Sequence, residues 1–270
     1  MKKFKDKVAV ITGAGSGIGR ALALQLAKEG ASLALNDFNK ERLEETVNLC
    51  ERNGTKVFSK VFDVSKKEDF YAFADEVVDH FKKVDIVINN AGVALGKYSV
   101  LESTIEDFEW VMGINYWGVL YGTKAFLPHL LKEKEAALIN ISSLFGITGV
   151  AYQGAYCSSK FAVRGLTESL KSELDGTNVS VHVVHPGGIK TNIAKDSKNH
   201  QGDDQTFDIQ QFEKMFRHTP EKAAEIILSA VKKKQSRILI GEEAYLGDFV
   251  ARITPTYYTK LVNMMVSRFS

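Results

Sequence analysis

Residues 12–19 read Thr12-Gly13-Ala14-Gly15-Ser16-Gly17-Ile18-Gly19. This glycine-rich segment follows a short β-branched run and precedes a helical pattern, so we expect it to turn the chain from a strand into a helix. Glycines at such a turn allow a tight bend and let a pyrophosphate approach the amides of the helix N-terminus. Because isoleucine occupies position 18, the spacing is G-x-x-x-G-x-G rather than the commoner G-x-G-x-x-G. The segment predicts a dinucleotide-binding turn, and a purely structural turn is the alternative.

Short β-branched runs alternate with longer amphipathic stretches along the whole chain, which is typical of a parallel sheet with helical crossovers. The predicted strands are Lys7–Thr12, Ser32–Asn36, Lys56–Val61, Val84–Asn89, Ala137–Ser142, Ser180–His185 and Arg237–Gly241. The predicted helices are Ile18–Glu29, Lys40–Asn53, Lys66–Phe81, Ile105–Lys132, Ala151–Glu173 and Glu221–Lys234. Right-handed crossovers place such helices on both faces of one sheet. The pattern predicts an α/β fold, a doubly wound three-layer α/β/α domain that spans residues 1–270.

The composition is that of an ordinary globular protein, with 44% hydrophobic and 25% charged residues in a chain of 270. The net charge of +2 gives no reason to expect a nucleic-acid partner. The longest run of apolar residues and glycine, Tyr116–Gly122, is far shorter than the roughly 20 residues of a membrane span. Two cysteines, Cys50 and Cys157, provide no disulfide framework, so a reducing, cytoplasmic compartment is expected.

Asp37 stands at the end of the second predicted strand, 24 residues after Gly13. A carboxylate there can accept hydrogen bonds from both hydroxyls of an adenosine ribose, and it repels a 2′-phosphate. The next residue is Phe38, so no adjacent cation offers to hold a phosphate. The position therefore favours NAD over NADP as cofactor. The alternative is that Asp37 only caps the following helix.

Tyr156 and Lys160 are four residues apart in a predicted helix, so both side chains project from one face. A free tyrosine has a pKa near 10, and a neighbouring ammonium is expected to lower it by stabilising the phenolate. Ser143 follows the fifth predicted strand and could donate a hydrogen bond to a substrate oxygen. Taken alone, a Tyr-x-x-x-Lys spacing is common and indicates little.

One segment interrupts the alternation. Residues 195–205 contain no apolar side chain, and a one-faced apolar helical spacing follows at Ile209, Phe212 and Phe216. A polar hinge joined to an apolar helix, after the end of a strand, suggests a substrate lid over residues 190–218. The alternative is an ordinary surface loop followed by a helix that packs on the core.

Several motifs occur together in a fixed order: the glycine turn at 12–19, Asn89-Asn90-Ala91-Gly92, Asn115, Ser143, Tyr156-x-x-x-Lys160 and Pro186-Gly187. This set of motifs resembles that of the short-chain dehydrogenase/reductase superfamily over roughly residues 5–241. The whole set is far more specific than any single motif in it. The resemblance implies a Rossmann-type domain of about seven parallel strands. It also implies hydride transfer between a nicotinamide cofactor and an alcohol or carbonyl compound, with no metal required.

By the same resemblance, Tyr156 is the catalytic acid/base and Ser143 polarises the substrate oxygen. Lys160 lowers the pKa of Tyr156 and holds the nicotinamide ribose, while Asn115 holds a water that links Lys160 to solvent. Asparagine is a poor former of helix interiors, so a local helical bulge is expected at Asn115.

The resemblance also assigns the cofactor contacts. Asp63 and Val64 match the pair that contacts adenine, Asn90 steadies the central sheet on the cofactor side, and the stretch from Pro186 to Thr191 surrounds the carboxamide. The complete predicted set is Gly13, Ser16, Gly17, Ile18, Gly19, Asp37, Asp63, Val64, Asn90, Ala91, Gly92, Tyr156, Lys160, Pro186, Gly187, Ile189 and Thr191.

The histidines show no spacing typical of a metal site. His182 and His185 fall on a predicted buried strand and are expected to be hydrogen-bonded core residues. Because His185 directly precedes Pro186, a minor supporting role near the nicotinamide remains the alternative for it.

The C-terminal extension, Glu242–Ser270, is rich in aromatic and basic residues. We expect it to pack over the substrate pocket or along a partner subunit, and the alternative is a basic amphipathic helix that binds a membrane surface. Aromatic tails in the resembled family accompany large hydrophobic substrates such as steroids, retinoids and fatty alcohols.

These observations predict an NAD-dependent oxidoreductase that acts on a hydrophobic alcohol, ketone or aldehyde. Helices 105–132 and 151–173 resemble the pair through which relatives form homodimers and homotetramers. The alternatives are an NAD-binding redox sensor without turnover and a lipid-surface-associated member of the family.

Overall fold

Seven short strands pair side by side in one parallel sheet in a computed structural model that describes residues 1, 3–193, 196–198 and 218–260. The strands are β1 (Val8–Thr12), β2 (Ser32–Asp37), β3 (Val57–Val61), β4 (Ile86–Asn89), β5 (Ala136–Ile141), β6 (Val179–Pro186) and β7 (Arg237–Ile240). Their order is β3-β2-β1-β4-β5-β6-β7. The predicted parallel, Rossmann-like α/β fold is confirmed, because every strand pair in this sheet is parallel.

Eight α-helices connect and flank the strands in the described residues. They are α1 (Gly17–Lys28), α2 (Lys40–Glu51), α3 (Lys67–Phe81), α4 (Ile105–Met112), α5 (Gly118–Leu130), α6 (Gly154–Glu173), α7 (Pro220–Lys232) and α8 (Glu242–Ile253). Apolar side chains of α1 and α7 are buried with one face of the sheet, and those of α3 and α5 are buried with the other. The central strand β1 is buried along its whole length, as a strand covered on both faces must be.

The predicted helix over residues 105–132 is in fact three elements. A π-helical turn, Gly113–Trp117, lies between α4 and α5, and it contains Asn115. The expected bulge is therefore confirmed. A π turn adds a residue to the helical repeat, so it rotates one side chain out of the regular pattern. Here the rotated position is Asn115, whose side chain is completely buried.

A row of hydrogen-bonded, buried polar side chains connects β4 through β5 to α6. The Nδ2 atom of Asn89 donates to Oδ1 of Asn140 at 2.9 Å, and Nδ2 of Asn140 donates to Oγ1 of Thr167 at 3.0 Å. Thr167 in turn donates to the carbonyl of Val163 at 2.6 Å. Buried amides are stable only when such partners are present, so these bonds specify how α6 sits on the sheet.

We expect Asn140→Leu to lower the free energy of unfolding by about 2–3 kcal/mol, because it removes the main acceptor of the buried Asn89 amide. The control Thr123→Val breaks only the long 3.4 Å contact from Asn89 and should cost less than about 1 kcal/mol. Urea denaturation of the two variants beside the wild type measures both values. A loss in Asn140→Leu as small as that expected for Thr123→Val would show that this network does not stabilise the fold.

Two predicted features extend beyond the described residues. Of the proposed lid over 190–218, only 190–193, 196–198 and 218 are described, so its apolar helix lies outside the structure. The same holds for residues 261–270 of the C-terminal extension. Within the described ranges, no helix has both the length and the apolar character that crossing a membrane requires.

Candidate active site

The glycine turn lies at the carboxyl end of β1, in the middle of the sheet. Gly13 has a φ of +64°, and a Cβ on it would lie only 2.8 Å from the Cα of Ala91. Ser16 is the N-cap of α1, yet within the described structure its side chain makes no capping hydrogen bond, and the first turn contains no acidic residue. The first amides of α1 therefore have no side-chain acceptor, which fits an anionic group such as a pyrophosphate.

Thr12 and Asn90 tie the ends of β1 and β4 together beside this turn. The Thr12 hydroxyl accepts hydrogen bonds from the backbone amides of Asn90 at 3.0 Å and Ala91 at 3.1 Å. In return, Nδ2 of Asn90 donates to the carbonyls of Thr12 at 2.9 Å and Gly13 at 3.1 Å. The structure therefore brings the predicted residues Asn90 and Ala91 to the glycine turn. The supporting role of Thr12 was not predicted, although its place at the head of the motif is a signal for it.

Asp37 ends β2 and faces the same turn. Its carboxylate is buried, and Oδ2 accepts a hydrogen bond from the amide of Gly15 at 2.8 Å. Its other oxygen, Oδ1, accepts from the amide of Asn39 at 2.9 Å. Asn39, and not Asp37, is the N-cap of α2, because its side chain accepts from the amide of Arg42. The helix-capping alternative is thus wrong, and the negative charge of Asp37 lies against the glycine turn.

The predicted adenine pair follows β3 at the same edge of the sheet. Oδ1 of Asp63 accepts a hydrogen bond from the amide of Ser65 at 2.9 Å, which leaves the other carboxylate oxygen toward solvent. Val64 is buried against α5, where a Cβ on Gly118 would lie 2.9 Å from its Cγ2. This packing fixes both residues beside β2 and Asp37.

Ser143, Tyr156 and Lys160 come together at the carboxyl end of β5. Ser143 caps a 3₁₀ turn, Leu144–Gly146, and its Oγ accepts from the amide of Phe145 at 3.1 Å. Ser143 lies close enough to the Tyr156 hydroxyl to favour its ionised form and so to lower its pKa. The Nζ atom of Lys160 lies 5.6 Å from the centre of the Tyr156 ring and donates to the carbonyl of Ile141 at 3.1 Å. The spacing in α6 therefore places both side chains beside the serine.

Burial dominates the proton equilibria of this trio. It raises the pKa of Tyr156 to about 12, and the proximity of Ser143 only partly offsets that rise. Burial also lowers the pKa of Lys160 to about 8. In the protein alone the net shift of the Tyr156 pKa is upward, because removal of the phenolate charge from water is its largest cause. The lowering of that pKa by Lys160 together with a bound nicotinamide stays a prediction.

Asn115 uses its amide to join the loop after β4 to α6. Its Nδ2 donates to the carbonyl of Val93 at 2.9 Å and to Oγ of Ser159 at 3.0 Å, and its Oδ1 accepts from the amide of Val93 at 2.8 Å. Gly92 lies between this side chain and Lys160. A Cβ on Gly92 would be 3.2 Å from both Oδ1 of Asn115 and Nζ of Lys160.

His185 positions the backbone of Ser143. Its Nδ1 donates to the carbonyl of Ser143 at 2.9 Å, since that oxygen can only accept. Among the described residues its Nε2 is buried without a hydrogen-bond partner. Burial lowers the pKa of His185, and likewise that of the fully buried His182, to about 4. Both are core histidines, as predicted, and His185 also supports the site.

Glu243, which was not among the predicted site residues, holds the turn after β6. Oε1 of Glu243, at the start of α8, accepts from the amide of Gly188 at 2.6 Å, beside Pro186-Gly187. Ile189 is buried and pairs with His218. Thr191 reaches the glycine turn, where a Cβ on Gly17 would lie 3.1 Å from its Cγ2. Of the predicted residues of this stretch, the structure brings Thr191 to the glycine turn and buries Ile189.

The C-terminal extension packs on the turn that follows Ser143. A Cβ on Gly247 would lie 2.6 Å from Cδ1 of Leu144, and the hydroxyl of Tyr258 accepts from the amide of Gly149 at 3.4 Å. The opposite face of α8 is exposed and apolar; its side chains are Tyr245, Leu246, Phe249 and Ile253. One face of the extension thus packs on the turn that follows Ser143, and the other is available for a further contact.

The two buried histidines predict a defined loss of stability in acid. In the folded protein both imidazoles stay neutral down to about pH 4, whereas their ordinary pKa is 6.5. The unfolded chain therefore binds more protons between these values, so stability is retained above pH 6.5 and lost as the pH falls toward 4. Between pH 7 and pH 5 we expect the free energy of unfolding to fall by about 2 kcal/mol per histidine.

Urea denaturation over this pH range measures the effect. The variant His185→Asn keeps a donor for the Ser143 carbonyl and removes one titrating ring. The fall in its stability between pH 7 and pH 5 should therefore be smaller than that of the wild type by about 2 kcal/mol. Parallel stability curves for the variant and the wild type would contradict the assignment.

The fold and this crevice define a dinucleotide-binding oxidoreductase. Residues 7–202 match the family model of short chain dehydrogenases. The chain therefore belongs to the short-chain dehydrogenase/reductase superfamily.

Individual relatives agree with this assignment. A Mycobacterium tuberculosis protein named as an oxidoreductase, SadH, is 45% identical over 272 residues, covering 100% of this chain and 98% of that protein. A Burkholderia phymatum short-chain dehydrogenase/reductase, solved in complex with NAD, is 31% identical with a TM-score of 0.87 over 97% of each chain. An alcohol dehydrogenase from the archaeon Thermococcus sibiricus, complexed with 5-hydroxy-NADP, is 30% identical with a TM-score of 0.74, covering 88% of this chain and 95% of that one.

Proposed function

We propose that this protein is an NAD-dependent dehydrogenase or reductase that transfers a hydride between nicotinamide and a hydrophobic alcohol, ketone or aldehyde. One observation carries the proposal: Ser143, Tyr156 and Lys160 converge at the carboxyl end of the sheet that also presents the glycine turn. A protein that only bound NAD would have no need of the buried tyrosine and lysine, whose placement costs solvation free energy.

The crevice supports a dinucleotide in an extended pose. The uncapped amides at the start of α1 would hold the pyrophosphate, and Asp63 and Val64 would border the adenine. Pro186 and Thr191 would border the nicotinamide end. When bound, the cofactor supplies or accepts the hydride.

Asp37 supports NAD rather than NADP. Its buried carboxylate lies on the amide of Gly15, where it would accept from the adenosine-ribose hydroxyls and repel a 2′-phosphate. The Burkholderia relative was solved with NAD and the Thermococcus relative with an NADP derivative, so family membership alone does not choose between them. The preference for this chain rests on Asp37.

Tyr156 would exchange the proton of the reacting oxygen. With a pKa of about 12 it is a phenol at neutral pH, the form that protonates the developing alkoxide during carbonyl reduction. The Ser143 hydroxyl would donate a second hydrogen bond to the same oxygen. In alcohol oxidation Tyr156 must first lose its proton, so the oxidation rate should rise with pH.

Asn115 and Lys160 would form the route by which that proton is replaced. Both side chains border the space beside Gly92, and Oδ1 of Asn115 keeps one lone pair after bonding Val93. A water there would donate to Asn115 and accept from the Lys160 ammonium. Glycine at position 92 keeps this space open, because a side chain there would displace that water.

The surroundings of the site suggest the substrate and the assembly. The aromatic extension on the catalytic turn favours a hydrophobic substrate over a small polar one.

Exposed apolar side chains on α4 to α6 support a homodimer or homotetramer; they are Ile105, Trp117, Leu131 and Phe161. Because both cysteines are free thiols, we propose a reducing, cytoplasmic location.

We expect Tyr156→Phe to lower turnover at least 1,000-fold, an order-of-magnitude figure for loss of the proton donor. Binding of NADH should change by less than about twofold, because the variant removes only a hydroxyl that faces the substrate. NADH fluorescence and steady-state kinetics measure the two effects. Activity within tenfold of the wild type would contradict the role of Tyr156.

The substrate class is tested by nicotinamide absorbance with a chain-length series of primary and secondary alcohols, and both NAD and NADP are offered. We expect kcat/KM with NAD to rise about three- to fourfold per added methylene, in line with about 0.8 kcal/mol for each buried CH₂. NADH binding without turnover of any alcohol, ketone or aldehyde would favour the redox-sensor alternative.

A further inference from the structure

Arg42 lies at the adenosine end of the crevice. It occupies the first turn of α2, and a Cβ on Gly15 would lie 3.0 Å from the Cβ of Arg42 and 2.8 Å from Oδ2 of Asp37. The stem of Arg42 therefore runs over the glycine turn beside the carboxylate expected to bind the ribose. A guanidinium is the group that best binds a phosphate by two hydrogen bonds.

In this structure another partner occupies the guanidinium. Nη1 of Arg42 donates to Oδ2 of Asp196 at 2.5 Å, and Nη2 donates to Oδ1 of the same carboxylate at 3.0 Å. The two residues are 154 positions apart in sequence, so the pair links α2 to the segment that follows β6. This two-point ion pair uses the edge of the guanidinium that a phosphate would use.

Asp196 is held in place independently of Arg42. The neighbouring Lys198 pairs with Leu95 in a short parallel bridge, and its carbonyl accepts from the amide of Gly96 at 3.1 Å. Its Nζ atom also lies 2.9 Å from Oδ1 of the buried Asp107 at the start of α4. Residues 196–198 are therefore anchored from the far side of the crevice, which presents Asp196 to Arg42.

We propose that Asp196 is a cofactor-specificity residue, because it engages the guanidinium of Arg42 and withholds it from a 2′-phosphate. The inference rests on the proposed preference for NAD and adds a second determinant to Asp37. Asp37 repels the phosphate directly, whereas Asp196 removes the cation that would compensate for that repulsion. Arg20 offers no substitute at this place, because its guanidinium donates to the carbonyl of Gly15 and to Glu45.

The test is the ratio of the dissociation constants of NADPH and NADH, measured by fluorescence titration of the full chain. In Asp196→Asn the freed guanidinium should lower this ratio about tenfold from the wild-type value, the effect of one charge-assisted hydrogen bond of about 1.4 kcal/mol. The double variant Arg42→Ala/Asp196→Asn should return the ratio to within about twofold of the wild type, because the gain depends on Arg42.

Lys198→Met is the matched control. It breaks the ion pair with Asp107 but keeps the backbone pairing of residue 198 with Leu95 and its hydrogen bond with Gly96, so Asp196 stays in place and charged and the ratio should not change. An unchanged ratio in Asp196→Asn, an equal shift in Lys198→Met, or a shift that persists in the double variant would each overturn the inference. A wild type that binds NADPH as tightly as NADH would instead contradict the proposed NAD preference, whichever way the variants move.

Discussion

The hydrogen bonds between Thr12 and Asn90 are the constraint on which the crevice depends. β1 continues toward β2 on one side and β4 continues toward β5 on the other, so the chain leaves these neighbouring strands in opposite directions. A crevice opens at such a reversal because no connection covers it. The four bonds of Thr12 and Asn90 close its floor and hold the glycine turn against Ala91. The residues proposed to bind the cofactor and to carry out catalysis are arranged around this floor.

The proposed catalytic residues, Ser143, Tyr156 and Lys160, are in an environment where burial opposes ionisation. Burial raises the pKa of Tyr156 and lowers that of Lys160, so it favours the uncharged form of both groups. The frame of the site is held by two hydrogen bonds to backbone carbonyls, from His185 to Ser143 and from Lys160 to Ile141. Positive charge brought by an oxidised nicotinamide would shift this balance toward the phenolate.

Much of the fold could be predicted because it is locally encoded. The β-branched runs and amphipathic stretches specify strands and helices. Some helix ends also carry a breaker, such as Gly30 after α1 and Pro255 after α8. Asn115 also revealed the π turn, since an amide inside an apolar helix needs a local distortion. No comparable signal in the sequence indicated which residues distant in the chain form hydrogen bonds or ion pairs. Glu243 supports Gly188, Asp196 holds Arg42, and Asn140 joins Asn89 to Thr167, each through residues far apart in the chain.

The sequence alone determined the order of strands and helices, the conformationally demanding glycine turn, and the spacing that puts Tyr156 and Lys160 on one helical face. These depend on backbone geometry over a few residues, which side-chain type controls directly. The tertiary structure decided the pKa values of the buried groups and which residues distant in the chain bond to each other. Burial raises the pKa of Tyr156 in the protein alone, and this desolvation depends on every atom packed around the hydroxyl. No local sequence pattern indicates which atoms surround the hydroxyl, because these surroundings form only once distant segments have packed together.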